Sequence, residues 1–213
     1  MGIDWDDILY RQKLLGKSRY RFLEKNVIKT SDHIYKSGLR GVFFSDFDMK
    51  TLLPESINET INLYLYDINE IQNNHPIDVL AFIDKKKRGT VGAISFSMAL
   101  SHDLKLPHLI VRPGRELTVD RIKIPGDFDI KGKRIVLITD HITTSVEVTL
   151  AIKDIQKAGG IVTDVVTHTV MSDFLKEKPN DFPNLIYHHK LPDDIPFELK
   201  NKLFQKKKPD QAS

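Results

Sequence analysis

The residues best suited to chemistry crowd into one short stretch, Thr139-Asp140-His141-Ile142-Thr143-Thr144-Ser145. It supplies a carboxylate and a cluster of hydroxyls. An unbroken apolar run, Ile135 to Ile138, precedes it. Val148, Ala151, Ile152, Ile155 and Ala158 follow at helical spacing. Hydroxyls at a helix start, beside its free backbone N–H groups and partial positive charge, suit a phosphate. The same residues also fit a plain helix cap. Thr144-x-x-Glu147 is a capping box, in which hydroxyl and carboxylate satisfy the helix start themselves. A second candidate is basic: Asp84-Lys85-Lys86-Lys87-Arg88-Gly89. Gly89 leaves backbone N–H groups open to a phosphate that Arg88 would also bind. The bland reading of this run is a solvated basic turn. Arg112 ends a further apolar run, and Pro113-Gly114-Arg115-Glu116 follows it.

These residues need elements to position them. Ile135–Ile138 is rich in β-branched residues and reads as a strand buried on both faces, ending at about Thr139. Gly159-Gly160 stops the helix after it. Asp78–Ile83 and a helix over Val91–Asp103 repeat the strand-loop-helix unit, with the basic run as the loop. Leu109–Val111 and Ile161–Val170 are further strands. The four strands are expected in one mainly parallel sheet, where ligands sit beyond the carboxyl ends of strands. The basic loop and the hydroxyl loop should then face one cleft. Upstream, Asp4–Leu15 reads as a helix with Ile8, Leu9 and Leu15 buried and Gly16 ending it. Tyr20–Asn26 reads as a second short helix. Ile28–Asp48 reads as an antiparallel hairpin broken by Ser37-Gly38 and Gly41. Pro54–Ile71 is a helix with Ile57, Ile61, Leu65 and Ile68 on one face. Leu117–Ile130 reads as a flap, and Lys206–Ser213 as a disordered tail. His168 reads as a packed strand residue. His188 and His189 lack metal-ligand spacing, so no metal cage is assigned.

Composition bounds the class. The 213 residues are 40% hydrophobic and 29% charged, which suits one α/β domain with additions. The absence of cysteine excludes disulfides and thiolate chemistry. A formal charge of +3 is too small to argue for nucleic acid. No apolar run approaches a membrane span or signal peptide, so a soluble cytoplasmic protein without a membrane partner is expected.

The central stretch resembles the 5-phosphoribosyl-1-diphosphate (PRPP) motif of the type I phosphoribosyltransferases. In that family an apolar strand ends in two acids, followed by an apolar pair and a Thr-Thr-Gly-Gly-Thr-like loop. Asp140, Ile142, Thr143 and Thr144 keep the pattern. Thr139 stands at the first acid, Ser145 and Val146 at the glycines, and Glu147 at the final hydroxyl. Lys36-Ser37-Gly38 and Phe43-Phe44 resemble the N-terminal hood of the orotate phosphoribosyltransferases, with Leu39 in place of an arginine. Arg88-Gly89 is similar to the family's pyrophosphate loop. Arg112 matches the Arg of a Val-Arg-Lys segment, and Pro113 replaces its Lys. Glu116 and Thr118 stand near the Lys and His of a mobile catalytic loop, with Arg115 one position away. Val170-Met171-Ser172-Asp173 lacks the arginine that holds the base carboxylate in orotate enzymes.

The resemblance implies an α/β, type I phosphoribosyltransferase-like fold: a mainly parallel, five-stranded core sheet flanked by helices, with a small hood. Residues 1–50 would be N-terminal helices and hood, 51–175 the core, 176–205 a C-terminal extension and 206–213 the tail. It implies transfer of ribose 5-phosphate from PRPP to a nitrogenous base, with release of pyrophosphate. Thr143, Thr144 and Ser145 would hold the 5-phosphate, and Asp140 the ribose hydroxyls. Arg88, Gly89 and Arg112 would hold pyrophosphate with Mg²⁺ bound mainly through PRPP. Lys36 and Phe44 would face the base, and Arg115 would stand in for the loop lysine. A homodimer is also implied. The substitutions leave a second reading open: a non-catalytic protein of this fold that binds a nucleotide or a related phosphorylated metabolite.

Overall fold

The apolar runs become the strands of one sheet. The structure is a computed structural model and describes residues 9–17, 28–34, 40–45, 54–83, 91–112, 129–143, 145–191 and 193. Strands β1 (Ile28–Ile34) and β2 (Arg40–Ser45) pair antiparallel as the expected hairpin, with a register shift between Thr30 and His33. Gly41 pairs opposite His33 inside β2, in the row where that shift ends. Strands β3 (Val79–Ile83), β4 (His108–Val111), β5 (Arg134–Ile142), β6 (Ile161–Met171) and β7 (Asn184–Leu191) form the main sheet. Its order is β4-β3-β5-β6-β7, and every neighbouring pair is parallel. The strand carrying the candidate motif is therefore central, and the segment read as a C-terminal extension supplies the fifth strand.

Helices cover both faces. They are α1 (9–17), α2 (Pro54–Asn74), α3 (Val91–Leu104), α4 (Ser145–Lys157) and α5 (Ser172–Glu177). Side chains alternate along a strand, so β5 serves two cores. Val136 and Ile138 pack with Leu80, Phe82 and Val166 against α2 and α3. Ile135 and Leu137 pack with Val79, Ala81 and Val165 against α4. Each fully buried aliphatic side chain contributes about 1.5–3 kcal/mol, so the two-sided burial of this run fixes its place in the sheet. Among the described residues no helix is long and apolar enough to cross a membrane.

Several boundaries differ from expectation. β5 does not end at Thr139 but runs to Ile142, because His141 and Ile142 pair with Thr169 and Val170 of β6. A ladder partner overrides weak local strand propensity. α1 continues through Gly16, and its buried side chain is Leu14 while Leu9 is exposed. Ala158 lies past α4 and is exposed. There Gly159, at φ 85, lets the Gly160 N–H return to the Ile155 carbonyl at 3.0 Å, a Schellman closure. The Tyr20–Asn26 helix, Ser37-Gly38, most of the flap and the tail lie outside the described residues.

Candidate active site

The connections place a crevice at the carboxyl end of the sheet. From β3 the chain passes through α3 to β4 on one side, and from β5 through α4 to β6 on the other. Adjacent parallel strands whose connections diverge leave a gap above their carboxyl ends, the switch point where open α/β sheets bind ligands. Register sets the heights. Phe82 is level with Ile138, and Ile83 with Val111. Asp140 of β5 and Arg112 after β4 therefore stand one step above the last paired row. β3 lies between them, so their main chains are about 10 Å apart at two strand spacings. Both residues are half-buried. β3 ends at Ile83 between them, at the same edge as Thr143.

Asp140 is tightly held. It continues the column of Val136 and Ile138, on the face covered by α2 and α3. The Thr139 hydroxyl donates to its Oδ1 at 3.3 Å, and Thr169 Oγ1 to its backbone carbonyl at 3.5 Å. Thr169 Oγ1 also hydrogen-bonds His141 Nδ1. Thr139 itself is buried, at the position of the family's first acid. Thr143 follows as a half-buried bend, and α4 starts at Ser145, offering the free N–H groups of a helix start toward the crevice. Glu147 lies in that first turn.

A polar network that the sequence reading missed lies beneath. The Tyr64 hydroxyl of α2 donates to the Thr139 carbonyl at 3.1 Å. One helical turn along, Asp67 accepts from Arg11 Nε at 2.8 Å and pairs with His188 Nε2 at 2.8 Å. His188 Nδ1 lies 3.1 Å from His168 Nδ1, which places His168 as a packed strand residue. Burial pushes the Tyr64 hydroxyl well up, the Asp140 and Asp67 carboxylates push it further, and the His168 backbone N–H that it accepts only partly offsets them. It is a neutral donor. Burial also works to raise Asp67, but the hydrogen bonds and positive charge of His188 and Arg11 outweigh it and hold that carboxyl below its ordinary value. The signal was present in the sequence: Tyr64 and Asp67 are polar groups interrupting the apolar face of α2 at helical spacing.

Of the expected site residues, Asp140, Arg112 and Thr143 come to one edge of the sheet. Ser145 is placed there as the first residue of α4, and Phe44 lies in β2 opposite Lys29. Lys36, Arg88, Gly89, Arg115 and Thr144 lie outside the described residues. The donor set fits a magnesium ion carried on a substrate. One carboxylate, Asp140, stands at the mouth, and no cluster of three or more metal-ligating side chains forms among the described residues.

No protein-family model matches the chain. An orotate phosphoribosyltransferase of Pyrobaculum islandicum is 30% identical over 147 residues, which cover 68% of this chain and 70% of that one. Among solved structures, the orotate phosphoribosyltransferase of Aeropyrum pernix aligns with a TM-score of 0.63 at 18% identity, covering 88% of this chain and 98% of its own. The Leishmania donovani UMP synthase aligns with a TM-score of 0.65 at 17% identity, and there the chain, 91% covered, spans only 40% of the neighbour's length. A parallel sheet in this order, a carboxylate and hydroxyl loop at its switch point, and a relative of this identity and coverage lead to one conclusion: the chain belongs to the type I phosphoribosyltransferase family, alongside the orotate phosphoribosyltransferases.

Proposed function

We propose that the protein transfers ribose 5-phosphate from PRPP to a nitrogen of a nucleobase, releasing pyrophosphate. The observation that carries this reading is Asp140, presented at the crevice by the central strand three residues before the Thr143 bend and the start of α4. A sugar phosphate fits that order. The helix start and the Thr143–Ser145 hydroxyls take the 5-phosphate, and Asp140 accepts from the ribose hydroxyls. Arg112, level with Asp140 and about two strand spacings away, takes the diphosphate end, with Arg88 and Gly89. Holding both anionic ends fixes the ribose for attack and stabilises charge on the departing oxygens. A magnesium ion, when bound, neutralises diphosphate charge; Asp140 and PRPP oxygens would hold it. Lys36, Phe44 and Arg115 are assigned to the base side and the leaving group by family resemblance. A homodimer belongs to the same reading.

A second reading, nucleotide or metabolite binding without turnover, is favoured by one observation. Thr139 turns its side chain into the core, so the crevice has one carboxylate where the family motif has two. Calorimetry with PRPP and Mg²⁺, followed by pyrophosphate release over a panel of bases, separates the two. Binding with release supports transfer. Binding without release on any base supports the second reading. No binding overturns both.

A further inference from the structure

Two carbonyls beside the Asp140 side chain are held by side chains of other elements. The Tyr64 hydroxyl of α2 donates to the Thr139 carbonyl at 3.1 Å, and Thr169 Oγ1 of β6 to the Asp140 carbonyl at 3.5 Å. The last row that β5 shares with β3 is Phe82 and Ile138, so Asp140 stands beyond the support of that neighbour.

We propose that Tyr64 is a positioning residue whose hydroxyl holds the strand end that presents Asp140; this rests on the reading of Asp140 as the acceptor of ribose hydroxyls. The hydroxyl cannot drift, because its ring is fixed. Tyr64 is fully buried, edge-on to Phe96 at 4.9 Å and to His188 at 4.6 Å between centroids. His188 is in turn held by Asp67, on the same helix as Tyr64. Thr169 holds the next carbonyl, that of Asp140 itself. The two peptides around Asp140 are therefore fixed from α2 and from β6. Packing alone does not account for the hydroxyl, since phenylalanine fills the same space. Without the hydroxyl, the Thr139 carbonyl loses this donor and the peptide that leads into Asp140 is free to turn.

Tyr64→Phe tests this. PRPP affinity, titrated with Mg²⁺, should fall about three- to tenfold, the worth of one buried hydrogen bond. Pyrophosphate, which lacks the ribose, should bind as to wild type. In an Asp140→Asn background the same substitution should cost no further PRPP affinity, because its effect passes through that carboxylate. Without ligand, amide exchange should quicken at Asp140 to Thr143 and stay unchanged in β3. Wild-type PRPP affinity in Tyr64→Phe, equal losses for PRPP and pyrophosphate, or an undiminished loss beside Asp140→Asn would each overturn the proposal. If the wild type binds no PRPP, the functional reading and the role of Tyr64 in it both fall. Exchange then reports only whether Tyr64 holds the strand end.

Discussion

Asp140 and Glu147 are two carboxylates near one helix start with opposite consequences. Asp140 is held by neighbours on its backbone and side chain and faces the crevice, so its charge serves a ligand hydroxyl. Asp140→Asn should weaken PRPP binding by about 2 kcal/mol, the worth of a hydrogen bond to a charged group, with little change in Tm. Calorimetry and a thermal melt of the same sample check both halves. Glu147 lies in the first turn of α4, where a phosphate would gather. Its charge competes with that phosphate for the helix start. Glu147→Thr restores the family hydroxyl and should tighten PRPP or ribose 5-phosphate binding by about 1 kcal/mol, with a smaller loss of stability. Unchanged or weaker binding by a folded variant would show that Glu147 only caps the helix. At this scale the sequence was legible where chemistry is local. The places of Asp140 and Thr143 at the carboxyl end of the central strand follow from the local order of strand, turn and helix. Tyr64 did not, because its partner Thr139 is 75 residues away.

The elements dock through contacts with little slack. A Cβ on Gly160 would meet Ile135 Cδ1 and Ile155 Cγ2, both at 2.7 Å. Gly160→Ala should therefore destabilise by roughly 1–3 kcal/mol through overpacking where α4 meets the start of β5. The clash lies at the opposite end of the sheet from the crevice, so PRPP affinity of the folded variant should hold. Urea unfolding with a parallel titration separates the two. The docking of α2 rests on charge as well as on apolar packing. Asp67 has a carboxyl held below its ordinary 3.8, so its stabilisation is present above that pH and is lost as pH falls through the lower folded value. Asp67→Asn should cost about 3 kcal/mol at neutral pH, and the gap from wild type should narrow below a pH of about 4. A gap that is constant with pH would assign the loss to packing. Helix and strand identities were legible because apolar periodicity reports burial. The extent of β5 was not, since Asp140 and His141 look like a loop until β6 supplies the ladder.

Across the whole molecule, the order of the strands makes the site. Four of the five strands were legible as β-branched runs separated by helices. β7 was not, because it is an edge strand with half its face exposed and two histidines in its buried half. Its arrangement became clear only from α2, whose Asp67 explains why an imidazole is buried there. The same dependence links the ends of the chain: Arg11 near the start and His188 near the finish share one carboxylate.

That shared carboxylate sets a timetable for synthesis. Asp67 and His188 are 121 positions apart, so a ribosome adding about 5–20 residues per second leaves the helix waiting roughly 6–24 s for its partner. Until then, seating α2 would bury a carboxylate lacking its imidazole, and the nascent chain does better to leave the helix undocked. Chains stalled before residue 184 should expose α2 to protease, and chains extended well past residue 191 should protect it. The crevice above β5 would then be among the last parts of the protein to take shape, completed when the far edge of the sheet arrives.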